Sequence, residues 1–198
     1  DMHNMHNNRF RTLAATALLG ACSLAFVGCT TTKPGTASAP ASARHAIDAD
    51  VDAALSKLYN TVPGSRELVA RSAGTLVFPS VISASLGIGA EYGRGALREG
   101  SRTVGYYSTT AGSVGWQAGA QSRAVIYVFS TRDALEKFRA SKGWTVGADA
   151  TVALATVGAN GQVDSNTIRQ PVVGYGLTNA GLEAGVALQG AKISPVTP

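Results

Sequence analysis

The sequence predicts a mainly β domain with added helices (α+β): a small closed β-barrel of about eight strands with about three helices packed on its outside. Three observations lead there. Short apolar runs with period-2 alternation recur from Thr75 to Ile193. The chain has 23 glycines, many of them inside those runs. Glycine weakens a flat strand, so its repeated use marks sharp bending or close backbone approach. Charged residues make up only 15% of the chain, which leaves few of the Glu and Lys residues that favour helices.

In chain order, residues 47–60 read as a helix with Ile47, Val51, Leu55 and Leu58 on one face. Asp48, Asp50 and Asp52 are expected in its first turn, where the helix dipole favours carboxylates. Pro63-Gly64 breaks the chain, and Ser65 to Ala73 forms a second short helix carrying Arg66 and Arg71. A third helix carries Leu135 and Phe138, with Ser130 and Asp133 at capping-box spacing before them. The expected strands are Thr75–Phe78, Ala84–Tyr92, Thr103–Thr110, Ser113–Gln121, Arg123–Phe129, Gly147–Val157, Val172–Leu177 and Gly181–Ile193. Val114, Trp116, Ala118 and Ala120 alternate with small or polar residues, as do Leu182, Ala184, Val186 and Leu188. Arg123–Phe129 is apolar on both faces, as suits a strand between helices and core. Gly93–Arg102 and Gly158–Pro171 read as long loops.

The amino terminus has a different character. Arg9 and Arg11 precede an apolar run from Leu13 to Val27, broken by Gly20, Cys22 and Ser23. That is a basic n-region followed by an h-region, too short and interrupted for a comfortable span of about 20 apolar residues. Residues 1–28 are therefore expected to be a signal peptide. Cys29, directly after Val27-Gly28, resembles the lipobox cysteine of bacterial lipoproteins, whose thiol carries the lipid. Cys22 fits the box too, but cleavage there would leave the apolar Ser23–Val27 at the new terminus. An ordinary secretory signal with incidental cysteines is the other alternative. Residues 29–45 form the lipidated start and a flexible tether of Thr, Ser, Ala and Pro, and 46–198 the globular domain. Thr30, following the cysteine, points to the outer membrane of a bacterial envelope by analogy with lipoprotein sorting.

The site chemistry is sparse. The formal net charge of +5 is a mild excess, compatible with anionic lipid and too small to argue for nucleic acid. Both cysteines lie in the leader region, so no disulfide framework is expected. His45 is the one histidine after Cys29 and falls in the tether, which leaves no Ser-His or Cys-His pair, no catalytic residue and no metal site. Glu91 and Asp149 would have to converge from distant strands to act as a carboxylate pair. Gly87, Gly89, Gly93 and Gly95 lack the spacing of a nucleotide loop, and no cofactor is expected. Trp116 and Trp144 read as packing residues. Two basic groups remain: Arg94, Arg98 and Arg102 in the first long loop, and Lys137, Arg139 and Lys142 around the end of the third helix. They serve either the solvent and the helix dipole, or phosphate, which arginine holds bidentately.

A series of segments carries a family resemblance: Gly74-Thr-Leu-Val-Phe-Pro-Ser80, Gly87-Ile-Gly-Ala-Glu-Tyr-Gly-Arg-Gly-Ala-Leu97, and Tyr106-Tyr-Ser through Gly112-Ser-Val-Gly-Trp-Gln-Ala-Gly-Ala-Gln121. The strand Ala124–Phe129, the helix Ala134-Leu-Glu-Lys-Phe138, Gly147-Ala-Asp-Ala-Thr-Val152 and Gly181-Leu-Glu-Ala-Gly-Val-Ala-Leu-Gln-Gly190 continue it. The chain resembles the SYLF-domain family, described in eukaryotes as an actin- and phosphoinositide-binding domain. The resemblance implies a small barrel with surface helices that binds lipid head groups through basic residues and has no catalytic activity. In some members a basic N-terminal helix takes part, whereas here residues 47–60 are acidic and offer only Lys57, so weak binding is expected. The expectation is a membrane-anchored lipoprotein binding anionic lipid through Arg94, Arg98 and Arg102, helped by Lys137, Arg139 and Lys142. A structural envelope protein docking a protein partner is the alternative. An integral eight-stranded outer-membrane barrel is a third reading, which the double-sided strand Arg123–Phe129 and the amphipathic helices oppose.

Overall fold

The computed structural model describes residues 39–183 and 188–198, without the side chains of residues 39, 87 and 113–118. The expected signal peptide, Cys29, the tether before Ala39 and the side chain of Trp116 lie outside the described residues.

Helix α1 runs Ala39–Thr61, so it begins inside the stretch expected as tether and includes an exposed His45. Its apolar positions Val51, Ala54 and Leu58 recur at helical spacing and are buried, as is Val62 just past its end. Asp48, Asp50 and Asp52 fall in its middle rather than its first turn. The helix dipole therefore does not explain them. Gly64, with φ 78°, turns the chain into α2, Ser65–Arg71. The buried Ser65 hydroxyl closes the corner by donating to the Val62 carbonyl at 2.7 Å.

Two long strands follow, β1 Gly74–Glu99 and β2 Arg102–Phe129, paired antiparallel from Gly74↔Phe129 to Glu99↔Arg102. Five expected strands are thus merged into two, and Gly93–Arg102, expected as a loop, is mostly strand closed by a tight turn at Gly100 (φ 60°). Alternation marks where strands lie but does not show that neighbouring runs continue as one. Irregularities break the register between Phe78 and Val81, Ser85 and Gly87, and Leu97 and Arg98. The first contains Pro79, which has no N–H to give the ladder. Bulges bend strands, and β1 bends until its halves touch. A Cβ on Gly93 would lie 2.9 Å from the Ser80 carbonyl oxygen, and one on Gly95 would overlap the carbonyl oxygen of Val77.

Helix α3, Arg132–Ala140, is capped by Thr131, whose side chain accepts from the Ala134 amide at 3.2 Å. The cap thus sits one residue beyond the expected Ser130. Asp133 pairs instead with Lys137 at 2.9 Å. Short β3 (Trp144–Thr145) and β4 (Ala153–Leu154), helix α4 (Ser165–Ile168), β5 (Val172–Thr178), β6 (Gly181–Leu182) and β7 (Lys192–Val196) complete the chain. Helix α4 lies in the expected loop Gly158–Pro171, capped by Asp164, whose carboxylate accepts from the Asn166 and Thr167 amides.

One edge of β2 carries β1 along its whole length. The other carries β7 at residues 106–110 and β5 at 124–129. The path β3-β7-β2-β5-β4, with β1 and β6 attached, makes a seven-stranded, strongly curled sheet. It is an open half-barrel rather than the expected closed barrel of about eight strands. No pairing joins β3 to β4 among the described residues. Among the described residues, the expected strand Gly147–Val157 pairs into the sheet over only Ala153–Leu154, and Gly181–Ile193 over Gly181–Leu182 and from Lys192 on; its Ala184 and Val186 lie outside the described residues.

Both faces of the sheet are covered where β1, β2 and β5 meet. Val125, Tyr127 and Phe129 face the inside of the curl with Phe78, Phe138 and Trp144, while Ala124, Ile126 and Val128 face α1 and α2 with Val77, Val173 and Tyr175. This is the arrangement that the double-sided strand Arg123–Phe129 led us to expect. Burial pushes the Tyr175 hydroxyl up to about 12 and raises Tyr127 further. A folded-state value above the ordinary 10.0 stabilises the neutral hydroxyl, so that stability is intact below pH 10 and is lost as pH rises through the folded value. Stability should fall by about 1.4 kcal/mol per pH unit for each ionising tyrosine above pH 10. Tyr175→Phe should flatten that alkaline fall in denaturant titrations. An unchanged profile would place the alkaline loss elsewhere.

Candidate functional site

Among the described residues no group of three His, Cys, Asp or Glu side chains is arranged to hold a metal. Glu91 pairs with Arg123 at 2.7 Å, both side chains 14% exposed. Asp149 accepts from the Thr145 amide at 2.6 Å inside a turn. The two carboxylates considered as a pair each have a partner of their own.

The three arginines of the expected loop do not act together, because successive strand residues face opposite sides. Arg98 turns toward α1 and is nearly buried, at 9% exposure. Its Nη2 donates to Asp52 Oδ1 at 2.9 Å and to the Asp48 carbonyl at 3.2 Å, and Nη1 donates to the Ser101 carbonyl at 2.7 Å. Asp48 also accepts from Thr103 Oγ1 at 2.8 Å and from the Tyr106 hydroxyl at 3.0 Å. Burial, and then this bond to Asp48, push the Tyr106 pKa above its usual value. Asp48 and Asp52, one turn apart, thus clamp α1 to the hairpin. Arg98 is part of what holds the fold and presents no free guanidinium to a ligand. Arg94 lies on the same face, exposed, its Nε donating to the Tyr92 hydroxyl at 2.9 Å.

The opposite face at the hairpin turn gathers a different set. Glu99 and Arg102 are cross-strand partners, which places their Cβ atoms about 5 Å apart. Arg139 reaches Glu99 from α3 at 2.7 Å, and Arg132 does so at 3.5 Å. One carboxylate thus holds two guanidiniums from α3, and the exposed Arg102 stands across the hairpin from it on the same face. Lys137 is occupied by Asp133, while Lys142, just past α3, is exposed. Gly143 next to it lies against the stem of Lys192. The two basic groups read separately from the sequence therefore come to one corner, Arg139 on Glu99 and Arg102 across the hairpin from it. Arg132 was not singled out by the sequence reading. The fork geometry of arginine and the surplus of positive charge suit an anion with several oxygens.

An α+β half-barrel with helices on both faces and an arginine-lined corner is the class that these features define. Residues 110–197 match the family model described as Ysc84, Las17-binding protein actin regulator, a match consistent with a SYLF-domain protein. No curated protein matches the chain.

Proposed function

We propose that the chain is a membrane-anchored, non-catalytic lipoprotein whose domain binds anionic lipid head groups weakly. Cys29 is the anchor, and a bacterial envelope, on the outer-membrane side, is its place. The observation that carries this reading is the corner where Arg132 and Arg139 share the single carboxylate of Glu99 and the exposed Arg102 lies across the hairpin from it. A phosphate bound there meets two guanidiniums already held against Glu99, so less side-chain entropy is lost than with free arginines. Lys142 stands at the end of the same helix, and Arg94 contributes at most from the other face.

The test compares partitioning of the full chain onto phosphatidylcholine vesicles with and without phosphatidylglycerol, at low and high salt. Each basic residue at a membrane surface contributes about 1 kcal/mol. Arg102→Ala, Arg132→Ala and Arg139→Ala together should therefore cut the anionic preference about tenfold or more and weaken its salt dependence. Arg98→Ala should lower the melting temperature and leave that preference intact. An undiminished preference in the triple variant would refute the corner as the site.

A second reading, an envelope interaction protein, is favoured by the matched family's description, which names a protein that its members bind. Recovery of a discrete envelope protein that depends on the same three arginines, with no anionic preference, would support it.

A further inference from the structure

The middle of the β1–β2 hairpin is uncovered on one face. From Ile82 to Arg94 exposure alternates along β1: Ile82, Ala84, Leu86, Ile88, Ala90, Tyr92 and Arg94 face outward, and the described residues between them are more enclosed. Leu86 is 86% exposed, Ile88 83%, Ile82 53% and Tyr92 47%. On the partner strand, a Cβ placed on Gly112, opposite the outward-facing Ala90, would meet nothing within 4 Å. Glu91, the one charged residue between Ile82 and Tyr92, is on the other face, paired with Arg123. Soluble surfaces rarely leave such a contiguous apolar row bare.

We propose that this row, Ile82, Leu86, Ile88 and Tyr92, seats in the boundary between head groups and acyl chains of the bilayer that tethers the chain. This seat depends on the membrane-anchored reading above and not on the arginine corner. Three observations choose a bilayer as the occupant. The row is apolar on one side only and ends in Tyr92 hydrogen-bonded to Arg94, an aromatic-basic pair of the kind that sits at a membrane interface. The groove at its base is lined by Ile47, Ile82, Tyr92 and Arg94, so α1 runs alongside it. From Cys29 to the start of α1 at Ala39 the chain reaches at most about 35 Å, which keeps the row within range of the bilayer holding the anchor. Beyond its pairing with β1, β2 has no strand partner between Ala111 and Arg123 among the described residues. An unpaired strand edge cannot enter hydrocarbon, so the row lies flat at the boundary, where water and head groups satisfy that edge. Amphipathic segments seat there about 5–10 Å deep.

The test uses the full chain with Cys22→Ser and Cys29→Ser and an N-terminal hexahistidine, tethered to phosphatidylcholine vesicles doped with nickel-chelating lipid. A polarity-sensitive fluorophore is attached to Ile88→Cys, or to Asn160→Cys as a control. At position 88 the emission should rise severalfold, shift to the blue and be quenched by spin-labelled acyl chains. At position 160 it should stay water-like. Leu86→Asp in the Ile88→Cys chain should abolish the shift without altering the melting temperature, since Leu86 touches no core. A water-like signal at 88 on tethered protein would overturn the proposal, as would a blue shift that appears without vesicles as protein concentration rises, which marks a second copy as the occupant. Neutral vesicles make no use of the arginine corner. A signal at 88 with no anionic preference in partitioning therefore sinks the head-group reading alone, and the reverse result sinks the seat alone.

Discussion

Gly95→Ala should cost the domain about 3 kcal/mol or more of stability, read as a lowered denaturant midpoint by circular dichroism. The added Cβ would overlap the Val77 carbonyl oxygen and lie 2.8 Å from Phe78 Cδ1. Neither neighbour is the free end of a flexible side chain: one is strand backbone, the other a fully buried ring. The two halves of β1 must then part, which opens the curl around the inner core. Gly95 has no positive φ, so alanine meets no backbone strain there and the cost is purely one of contact. Gly112→Ala and Gly119→Ala supply the comparison. Both positions open onto free space, and replacing a strand glycine there should leave stability unchanged or raise it by about 0.5–1 kcal/mol. Equal losses at all three positions would show that glycine is needed for something other than close approach.

Phe138→Ala should cost about 3–5 kcal/mol and disorder the aromatic cluster inside the curl. The Phe138 ring lies 5.0 Å from Tyr107, 5.0 Å from Phe129 and 5.4 Å from Trp144. With Leu135 it is the buried side of α3, whose other positions are largely exposed. Its loss leaves a cavity and frees the helix that carries Arg132 and Arg139. The near-ultraviolet dichroism of Trp144 should weaken, and anionic lipid preference should fall with it. Glu136→Ala on the exposed face should stay within about 0.5 kcal/mol. A Phe138→Ala chain with unchanged stability would mean that α3 is held from outside the core, through Glu99.

The strand Arg123–Phe129 was legible because the unbroken apolar run from Ala124 to Phe129 has one physical meaning, cover on both faces. The apolar stripe of residues 47–60 and the contact helix around Phe138 were legible for the same reason. The site was only half legible. Arg98 looked like Arg94 and Arg102 in the sequence, since charge and glycine content mark exposure only on average. What separates them is alternation across a strand: Arg98 faces α1, while Arg102 faces α3. The run Asp48, Asp50, Asp52 carried a usable signal, because Asp48 and Asp52 share a helix face and needed a basic partner.

By itself the sequence determined the local choices: the cores of the three longer helices, which strand is apolar on two faces, where glycine permits bending, and the resemblance to the SYLF family. Those follow from periodicity and conformational freedom, which are properties of neighbouring residues. Only the tertiary structure decided that five runs merge into two long strands, that the curl stays open, and that Arg98 is sequestered while Arg132 and Arg139 converge on Glu99 beside Arg102. Each of these depends on which distant backbones come within a few ångströms of one another, and no local spacing encodes that.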